Sequence, residues 1–532
     1  MTIQITNINL DINEPMDSLK SKVARKLKLR ENDIKELRVV KESIDARKKD
    51  NIKFNYAVEV ECEKETSVIS RVNSNDVKIA PEKYVPEFEQ GNKKLSHRPI
   101  IVGMGPAGLF AGLLMAQKGY RPIIVERGEA VEERSKTVDK FWQSGVLNKN
   151  SNVQFGEGGA GTFSDGKLTT RIKDIRVNYV LEELVKSGAG KEIEYLAKPH
   201  VGTDVLKEVV KNIRNEIISL GGEVKFNSIL EDINIKDKKV YSVVVNGEEI
   251  PCEILILSIG HSARDTYEML LKRNVFMSSK PFAIGVRVEH EQYLINENQF
   301  GKYADHPRLK AAEYKLTHTC RALDRGVYSF CMCPGGVVVA SASEEGKLVT
   351  NGMSYSKRDK ENANSAIVVS IKPSDFEGDS PLAGMEFQRK YEELSFNLGG
   401  GNYMAPVQRI DDFLKDNVSS KLGNVTPTYK PGYEFRDMRE CLPSYVVESL
   451  KDGFTNFDRK IKGFAGCNTV MTGIETRTSA PVRIDRNELG ESISTKGLYP
   501  AGEGAGYAGG IISAAVDGVK IAESIIKEWI LE

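Results

Sequence analysis

Neither charge is in surplus in this sequence of 532 residues: Lys+Arg and Asp+Glu both number 75, so the formal net charge is zero. That excludes electrostatic capture of nucleic acid or anionic membrane by the molecule as a whole and leaves only a local patch to consider. Cysteine is scarce and odd in number, seven in all, which excludes a disulfide framework and suits a reducing cytosol. The opening Met1-Thr2-Ile3-Gln4 lacks the basic stretch and apolar core of a signal peptide, so a cytoplasmic location is expected. A single stretch, Pro99 to Ala116, runs 18 residues without a charge. It contains Gly103, Gly105, Gly108, Gly112 and a second proline, Pro106, and so reads as a buried strand–turn–helix rather than a membrane span.

What is present is globular: 40% hydrophobic and 28% charged residues, in a chain about three times the usual single-domain length. Residues 1–95 read as a small α+β domain. A strand begins at Ile3, Asp17 to Leu29 has helical spacing, and strand-like runs follow at Leu37–Val40 and Phe54–Val60. Its Arg47-Lys48-Lys49 cluster reads as a solvated surface before it reads as a nucleic-acid patch. A charged connector, Pro81 to Arg98, follows. From Pro99 the pattern turns to strand–helix–strand, with a helix over Ala107–Lys118, another capped by Thr203 and running to Leu220, and an apolar strand at Ile254–Leu257. The middle, about 275 to 480, reads as strands and loops with no long helix. Strand, glycine loop and helix return from Leu498.

The strongest local signal is Gly103-Met104-Gly105-Pro106-Ala107-Gly108, directly after a strand and opening a helix. In such a turn the first glycine permits the bend, the second lets backbone approach a pyrophosphate, and the third lets helix and strand pack closely. The diphosphate then meets the free N–H groups of a helix N-terminus. Glu126 closes the next strand 23 residues beyond Gly103, where a carboxylate can accept ribose hydroxyls. Together these features predict dinucleotide binding.

Pro106 and the sequence Glu126-Arg127-Gly128 follow flavoprotein usage. Ile254 to Gly260 resembles the second strand and glycine turn of FAD enzymes. Leu498 to Gly504 resembles their C-terminal motif, with Glu503 where most members have aspartate. The helix beyond it, through Gly510, Ala514, Ala515 and Gly518, is rich in small residues, and its N-terminus can favour negative charge on a reduced flavin. In this order the segments resemble flavoproteins of the glutathione reductase type. More closely, the chain resembles a sparsely characterised family of FAD-dependent dehydrogenases with an added N-terminal domain. That likeness rests on Gly161 to Leu168, Tyr328 to Gly336, Asn351 to Ser354, Glu475 to Arg483 and Gly502 to Gly510, and covers nearly the whole chain.

The resemblance implies an α/β fold. A Rossmann-like, three-layer ββα FAD-binding domain (96–275 with 480–532) would carry an inserted mixed or antiparallel β-rich substrate domain (276–479) and the small N-terminal domain. It implies bound FAD and no particular substrate. The cofactor set expected is Gly103, Gly105, Pro106, Ala107, Gly108, Glu126, Arg127, Gly161, Lys167, Arg171, Gly260, Gly502, Glu503, Gly510 and Ile511.

The sequence has no second glycine fingerprint and no vicinal cysteine pair of the disulfide-reductase kind, so NAD(P)H, if it is the donor, must dock as a diffusible molecule without its own Rossmann domain. No metal-ligand spacing occurs. His261, His318, Cys331, Cys333 and Arg477 are the catalytic candidates: histidines for proton transfer, a Cys-x-Cys pair on one strand face, and a cation beside the C-terminal motif. The reading that follows is an FAD-dependent oxidoreductase passing a hydride between flavin and a small organic molecule. The alternative is an FAD-containing RNA-binding or RNA-modification factor that uses residues 1–95. No amphipathic membrane helix supports an electron-transfer protein docked to quinone.

Overall fold

The computed structural model describes residues 2–531 and is a mixed α/β structure of several sheets. At the N-terminus, strands Ile3–Asp11, Ile34–Asp45, Lys53–Cys62 and Val77–Ile79 form a four-stranded sheet, with helix Ser18–Leu27 covering it through Leu19, Val23 and Leu27. The three apolar side chains recur at helical spacing, so one face of the helix is buried and the other is free to be basic. This unit does not stand apart. Its hydrophobic core is continuous with that of the large sheet described below. Arg308 fastens it by donating to the carbonyls of Ile12 (3.0 Å) and Glu14 (2.8 Å) while lying 4.1 Å over the Phe54 ring.

The uncharged run at Pro99 resolves into strand Ile100–Val102 and helix Pro106–Gln117, in which every residue from Ala107 to Ala116 is buried. A helix apolar all round is a core helix. The strand sits at the centre of a five-stranded parallel sheet in the order Leu498–Pro500, Leu255–Leu257, Ile100–Val102, Ile123–Val125, Glu223–Lys225. Alternation along these strands serves two layers. Ile101, Ile124 and Ile256 pack with helices Pro106–Gln117, Thr203–Ser219 and Ile511–Ile526, whereas Ile100, Val102 and Leu255 pack with the three-stranded sheet of residues 230–251.

The central region builds a seven-stranded sheet in the order Thr317–Cys320, Arg325–Cys333, Asn362–Ile371, Phe282–Glu291, Val470–Glu475, Ala405–Arg409, Tyr433–Phe435. Contrary to the expectation of no long helix there, Ala383–Leu398 and Ser444–Lys460 are helices of 16 and 17 residues. The first hides from a periodicity argument because its buried side includes Gln388, Glu392 and Ser395. The second does have an apolar stripe (Val446, Val447, Leu450, Phe454, Phe457), interrupted by Gly453, which seats the helix on the sheet. Thr203 lies inside its helix rather than capping it: Gly202 is the N-cap and the threonine hydroxyl donates to the Thr162 carbonyl. The connector is also pinned, since Lys93–Leu95 pairs in parallel with Trp529–Leu531. No helix among the described residues is long and apolar enough to cross a membrane.

A Cβ on Gly453 would lie 2.6 Å from Val327 Cγ1 of the sheet. Gly453→Val is therefore expected to push the helix outward and to destabilise the protein by about 1–3 kcal/mol, seen as a lower thermal midpoint. Gly453→Ala should give a smaller loss.

Candidate functional site

The strands' C-terminal ends open into a cleft of about 360 Å³ that runs from the first glycine turn to the edge of the large sheet. Its glycines divide into two kinds. Gly103, Gly108 and Gly518 are packing glycines. A Cβ would come within 2.3 Å of the Ser258 carbonyl at Gly103, 2.0 Å of the Gly103 carbonyl at Gly108, and 2.0 Å of the Ala107 carbonyl at Gly518. Gly103 also needs its φ of +93°. Gly105, Gly260, Gly509 and Gly510 line the cleft, and a Cβ at any of them would meet nothing closer than 3.8 Å. The first kind brings chain against chain; the second leaves backbone bare beside open space, as a close-lying diphosphate and flavin require.

Glu126 is held by three backbone donors: Met104 N–H to Oε2 (2.8 Å), and Gly128 and Gly156 N–H to Oε1 (both 2.9 Å). An ionised carboxylate has about four acceptor positions, so the residue both staples the turn and keeps capacity for one further donor from the cleft. Arg127 pairs with Asp265 at 2.8 Å and lies 4.5 Å over the Phe155 ring, forming an aromatic-cationic wall beside Glu126.

Arg134, with no exposed surface, holds the loop that carries Phe155 and Gly156. Its guanidinium donates to the carbonyls of Asn152 (2.9 Å), Val153 (3.0 Å), Glu157 (2.6 Å) and Gly159 (3.0 Å). Burial lowers it to about 10, and the neighbouring Glu126 and Glu157 oppose that shift. It stays protonated near neutrality. Nothing in the sequence marks this arginine, which sits in an ordinary amphipathic helix.

At the far end the cleft is lined by His261, Cys331, Glu475, Arg477 and Glu503. His261 Nδ1 lies 2.9 Å from Ser262 Oγ. Burial, then Arg477 and Arg264, lower its imidazole to about 3, so it is neutral. Burial raises Glu503 to about 7 against the pull of Lys280. Glu475 is likewise raised to about 7 by burial, although both its oxygens accept from Arg287 at 3.0 and 3.1 Å. Lys167 bonds Asp165 at 2.7 Å and the Met332 carbonyl; its carboxylate neighbours outweigh burial and hold it charged. Arg477 is bound to Glu392 at 2.9 Å, with Arg264 on the same carboxylate at 2.7 Å, and it donates to Ser262 and Ser343. Burial raises Glu392, but the two guanidiniums prevail and hold it well below the usual carboxylate range.

Of the residues expected to meet the cofactor, Gly103, Gly105, Pro106, Ala107, Glu126, Arg127, Gly161, Lys167, Gly260, Glu503, Gly510 and Ile511 line this cleft. Gly108 and Gly502 lie beneath it: Gly502's Cβ would strike Ala107 Cβ at 2.7 Å. Arg171 is not among the lining residues, although it follows the glycine-rich loop in sequence. His318 is elsewhere, paired with Asp452 at 2.8 Å in a separate surface pocket. Cys333 is fully buried behind Cys331. Phe155, Gly156 and Ser262, which line the cleft, carried no sequence signal of their own. No group of three or more metal-ligating side chains occurs among the described residues.

A family model described as "FAD-dependent protein, C-terminal domain-like" matches residues 281–478, and one described as a domain of unknown function (DUF8436) matches residues 2–61. With the bare-backbone cleft and its glutamate, the first match defines an FAD-dependent protein, and FAD is the cofactor. An uncharacterized protein of Clostridium beijerinckii is 60% identical over 529 residues, 99% of each chain, and the present chain belongs to that protein's family.

Among solved structures, a glycine oxidase from Geobacillus kaustophilus aligns over 82% of this chain and 96% of its own at 10% identity and a TM-score of 0.36. A flavin-dependent brominase aligns over 81% and 78% at 12% identity and 0.36. A geranylgeranyl bacteriochlorophyll reductase-like protein from Thermoplasma acidophilum aligns over 81% and 77% at 11% identity and 0.33.

Arg134→Met would leave four loop carbonyls without their donor, each at about 1–3 kcal/mol. The expected result is a thermal midpoint lower by several degrees and at least a ten-fold loss of retained FAD after gel filtration. Glu503 gives a pH test. Its folded value of about 7 lies above the ordinary 4.5, so the folded state binds the extra proton and stability falls as pH rises through that window. Glu503→Gln should flatten this part of the stability–pH curve of the FAD-free protein, measured by denaturant titration between pH 4.5 and 7.

Proposed function

We propose that the protein is an FAD-dependent oxidoreductase that moves a hydride between flavin and a small organic substrate admitted at the large-sheet end of the cleft. The observation supporting it most directly is the meeting, in one cleft, of the open glycines with His261, Lys167, Glu475 and Glu503. FAD, when bound, supplies the two-electron redox chemistry; the chain supplies position, dryness and proton handling.

Gly105, Pro106 and the N-terminus of helix Pro106–Gln117 would hold the diphosphate, with Glu126 and the Arg127–Phe155 wall on the adenosine side. Gly260, Gly509 and Gly510 would lie along the flavin, where the N-terminus of helix Ile511–Ile526 favours negative charge. His261, neutral, can hold a substrate or flavin atom by hydrogen bonding at its free ring nitrogen. Glu503, poised near neutrality, accepts or returns a proton at its carboxyl. Lys167 is a fixed cation able to orient an anionic substrate group. Arg477 is a positioning residue, because its guanidinium is spent on Glu392 and on the serine that orients His261. NAD(P)H would serve as a diffusible donor docking at the open mouth. On this reading the FAD domain comprises 96–275 and 480–532, the substrate domain 276–479 and the small domain 1–95, in a cytoplasmic enzyme.

The RNA reading finds less support. Arg47, the leading cation of the N-terminal cluster, is engaged by Asp45 at 2.6 Å, and the unit is anchored to the large sheet by Arg308.

The purified protein should be yellow, release FAD near one equivalent on denaturation, and bleach anaerobically with NADH, NADPH or an organic reductant. A colourless protein that FAD does not reconstitute would overturn the proposal. In Glu503→Gln the pH dependence of flavin reduction near 7 should weaken, Glu475 carrying the remainder, while FAD content is kept.

A further inference from the structure

Cys331 and Cys333 have no part in the chemistry above, yet the chain distorts itself around them. Strand Arg325–Cys333 keeps register with its neighbour up to Phe330↔Ala366 and resumes at Cys333↔Asn364, so three steps on one strand face two on the other. The extra residue is a bulge, and within it Cys331 adopts φ +45°, a left-handed conformation that side chains other than glycine rarely take. Bulges and strained residues gather where a side chain must be re-aimed. Here the result is that Cys331 faces the cleft while Cys333 lies buried directly behind it.

The two cysteines are in direct contact: Cys333 Sγ donates to the Cys331 carbonyl at 3.3 Å. In a regular strand, residues i and i+2 stand about 6.6–6.8 Å apart, at the outer limit of the roughly 4.4–6.8 Å that a disulfide spans. The bulge departs from the extended chain where closer approach is needed. Beneath the pair lies Arg287, entirely buried, with Nη2 donating to the Cys331 carbonyl (2.7 Å) and to Cys333 Sγ (3.3 Å). Its other nitrogens are fixed by Glu475 and Asn364. Lys167 bonds the carbonyl of Met332, between the two cysteines. The neighbouring Cys333 side chain and then the cations Arg287 and Lys167 outweigh burial and lower the Cys331 thiol, whereas burial raises Cys333.

We propose that Cys331 and Cys333 form a redox-active dithiol, Cys331 attacking and Cys333 resolving, and that the site takes a disulfide or dithiol as substrate. This rests on the FAD reading and names its substrate class. The Cys331 thiolate attacks one sulfur of a disulfide R–S–S–R. That S–S bond breaks, a mixed disulfide Cys331–S–S–R forms, and RS⁻ leaves and takes a proton from solvent. Cys333 then loses its proton to solvent and attacks Cys331 Sγ, releasing the second RS⁻ and closing the Cys331–Cys333 bond. The substrate gains two electrons and the dithiol loses two. FAD in its two-electron-reduced form is the class of donor that restores the dithiol. In the reverse direction a substrate thiolate attacks the accessible Cys331 sulfur, and Arg287 stabilises Cys333 as the leaving thiolate. A bridge over so short a span is readily reduced, as a bond broken at each turnover must be.

The test uses the full-length protein with FAD bound and oxidised glutathione as the disulfide probe, followed by an acid quench, alkylation in denaturant and a tryptic map. Both cysteines fall in the peptide of residues 326–347, between Arg325 and Lys347. The wild-type peptide should be recovered bridged, and should return to two alkylated thiols after dithiothreitol. Cys333→Ser should trap glutathione on residue 331, and Cys331→Ser should abolish both bridge and adduct. Exposed Cys467 is the internal control for indiscriminate oxidation. Recovery of both thiols alkylated in the wild type, or glutathione on Cys467 alone, overturns the proposal whether or not the variants fold. FAD present without the bridge defeats the dithiol and leaves the flavin reading standing. A bridge in a protein that cannot take up FAD defeats the flavin reading and leaves the dithiol standing.

Discussion

Backbone-to-backbone contact at three glycines governs this molecule. Gly103 presses on the Ser258 carbonyl, Gly108 on Gly103, and Gly518 on Ala107. These contacts hold the central strand, the helix after it and the C-terminal helix close enough for their loops to converge on one cleft. The open glycines of the cleft have their value only because the closed ones set that spacing. If helix Ile511–Ile526 were moved outward by the width of a methyl group, Gly509 and Gly510 would draw away from the cleft that they line with Gly105 and Gly260. A long, two-ended cofactor needs both ends placed at once, and here backbone packing does the placing rather than mobile side chains.

Around this frame the site is stiffened by buried charge. Arg134 spans four carbonyls of one loop, Arg287 ties Glu475 to the Cys331 bulge, and Arg264 and Arg477 share Glu392. Such groups contribute little net stability, because desolvation offsets most of the attraction. Their geometry is demanding, however, since a planar guanidinium is satisfied only when its partners stand in fixed directions. Each network fixes a cleft wall: the Phe155 loop, the cysteine bulge and the His261 turn. A flavin site that must exclude water while moving protons is better served by this directional polar scaffold than by an apolar wall of equal rigidity.

What the sequence disclosed was whatever depended on local chemistry. The glycine turn is legible because its bend and close approaches need glycine at fixed offsets, and Glu126 because it ends the next strand. The inner parallel strands Ile100–Val102 and Leu255–Leu257 are legible because burial on both faces makes them continuously apolar. The misplaced residues share one cause, the use of nearness in sequence as a guide to nearness in space. Arg171 follows the glycine-rich loop and yet misses the cleft, and His318 belongs with Asp452, 134 positions away. Helix Ala383–Leu398 escaped notice because its buried Glu392 finds two arginines, at 264 and 477, that no local pattern could supply.

The division of labour between the two large sheets follows from the same facts. The parallel sheet contributes mainly backbone to the cleft, from loops at its strand ends, and backbone recognises what every FAD has in common. The seven-stranded sheet contributes side chains: Cys331 from its bulge, and Glu475 at the end of strand Val470–Glu475, with Arg477 and Thr478 just beyond. A regular antiparallel strand directs successive side chains to opposite faces, so a strand edge can offer a cleft only alternate residues. The bulge at Cys331 breaks that rule and turns Cys331 to the cleft while Cys333 stays buried, and a second register shift, between strands Phe282–Glu291 and Val470–Glu475, lies beside Glu475. Both breaks in register fall where the large sheet meets the cleft, so the side chains offered there are set by the sheet rather than by the nucleotide-binding frame.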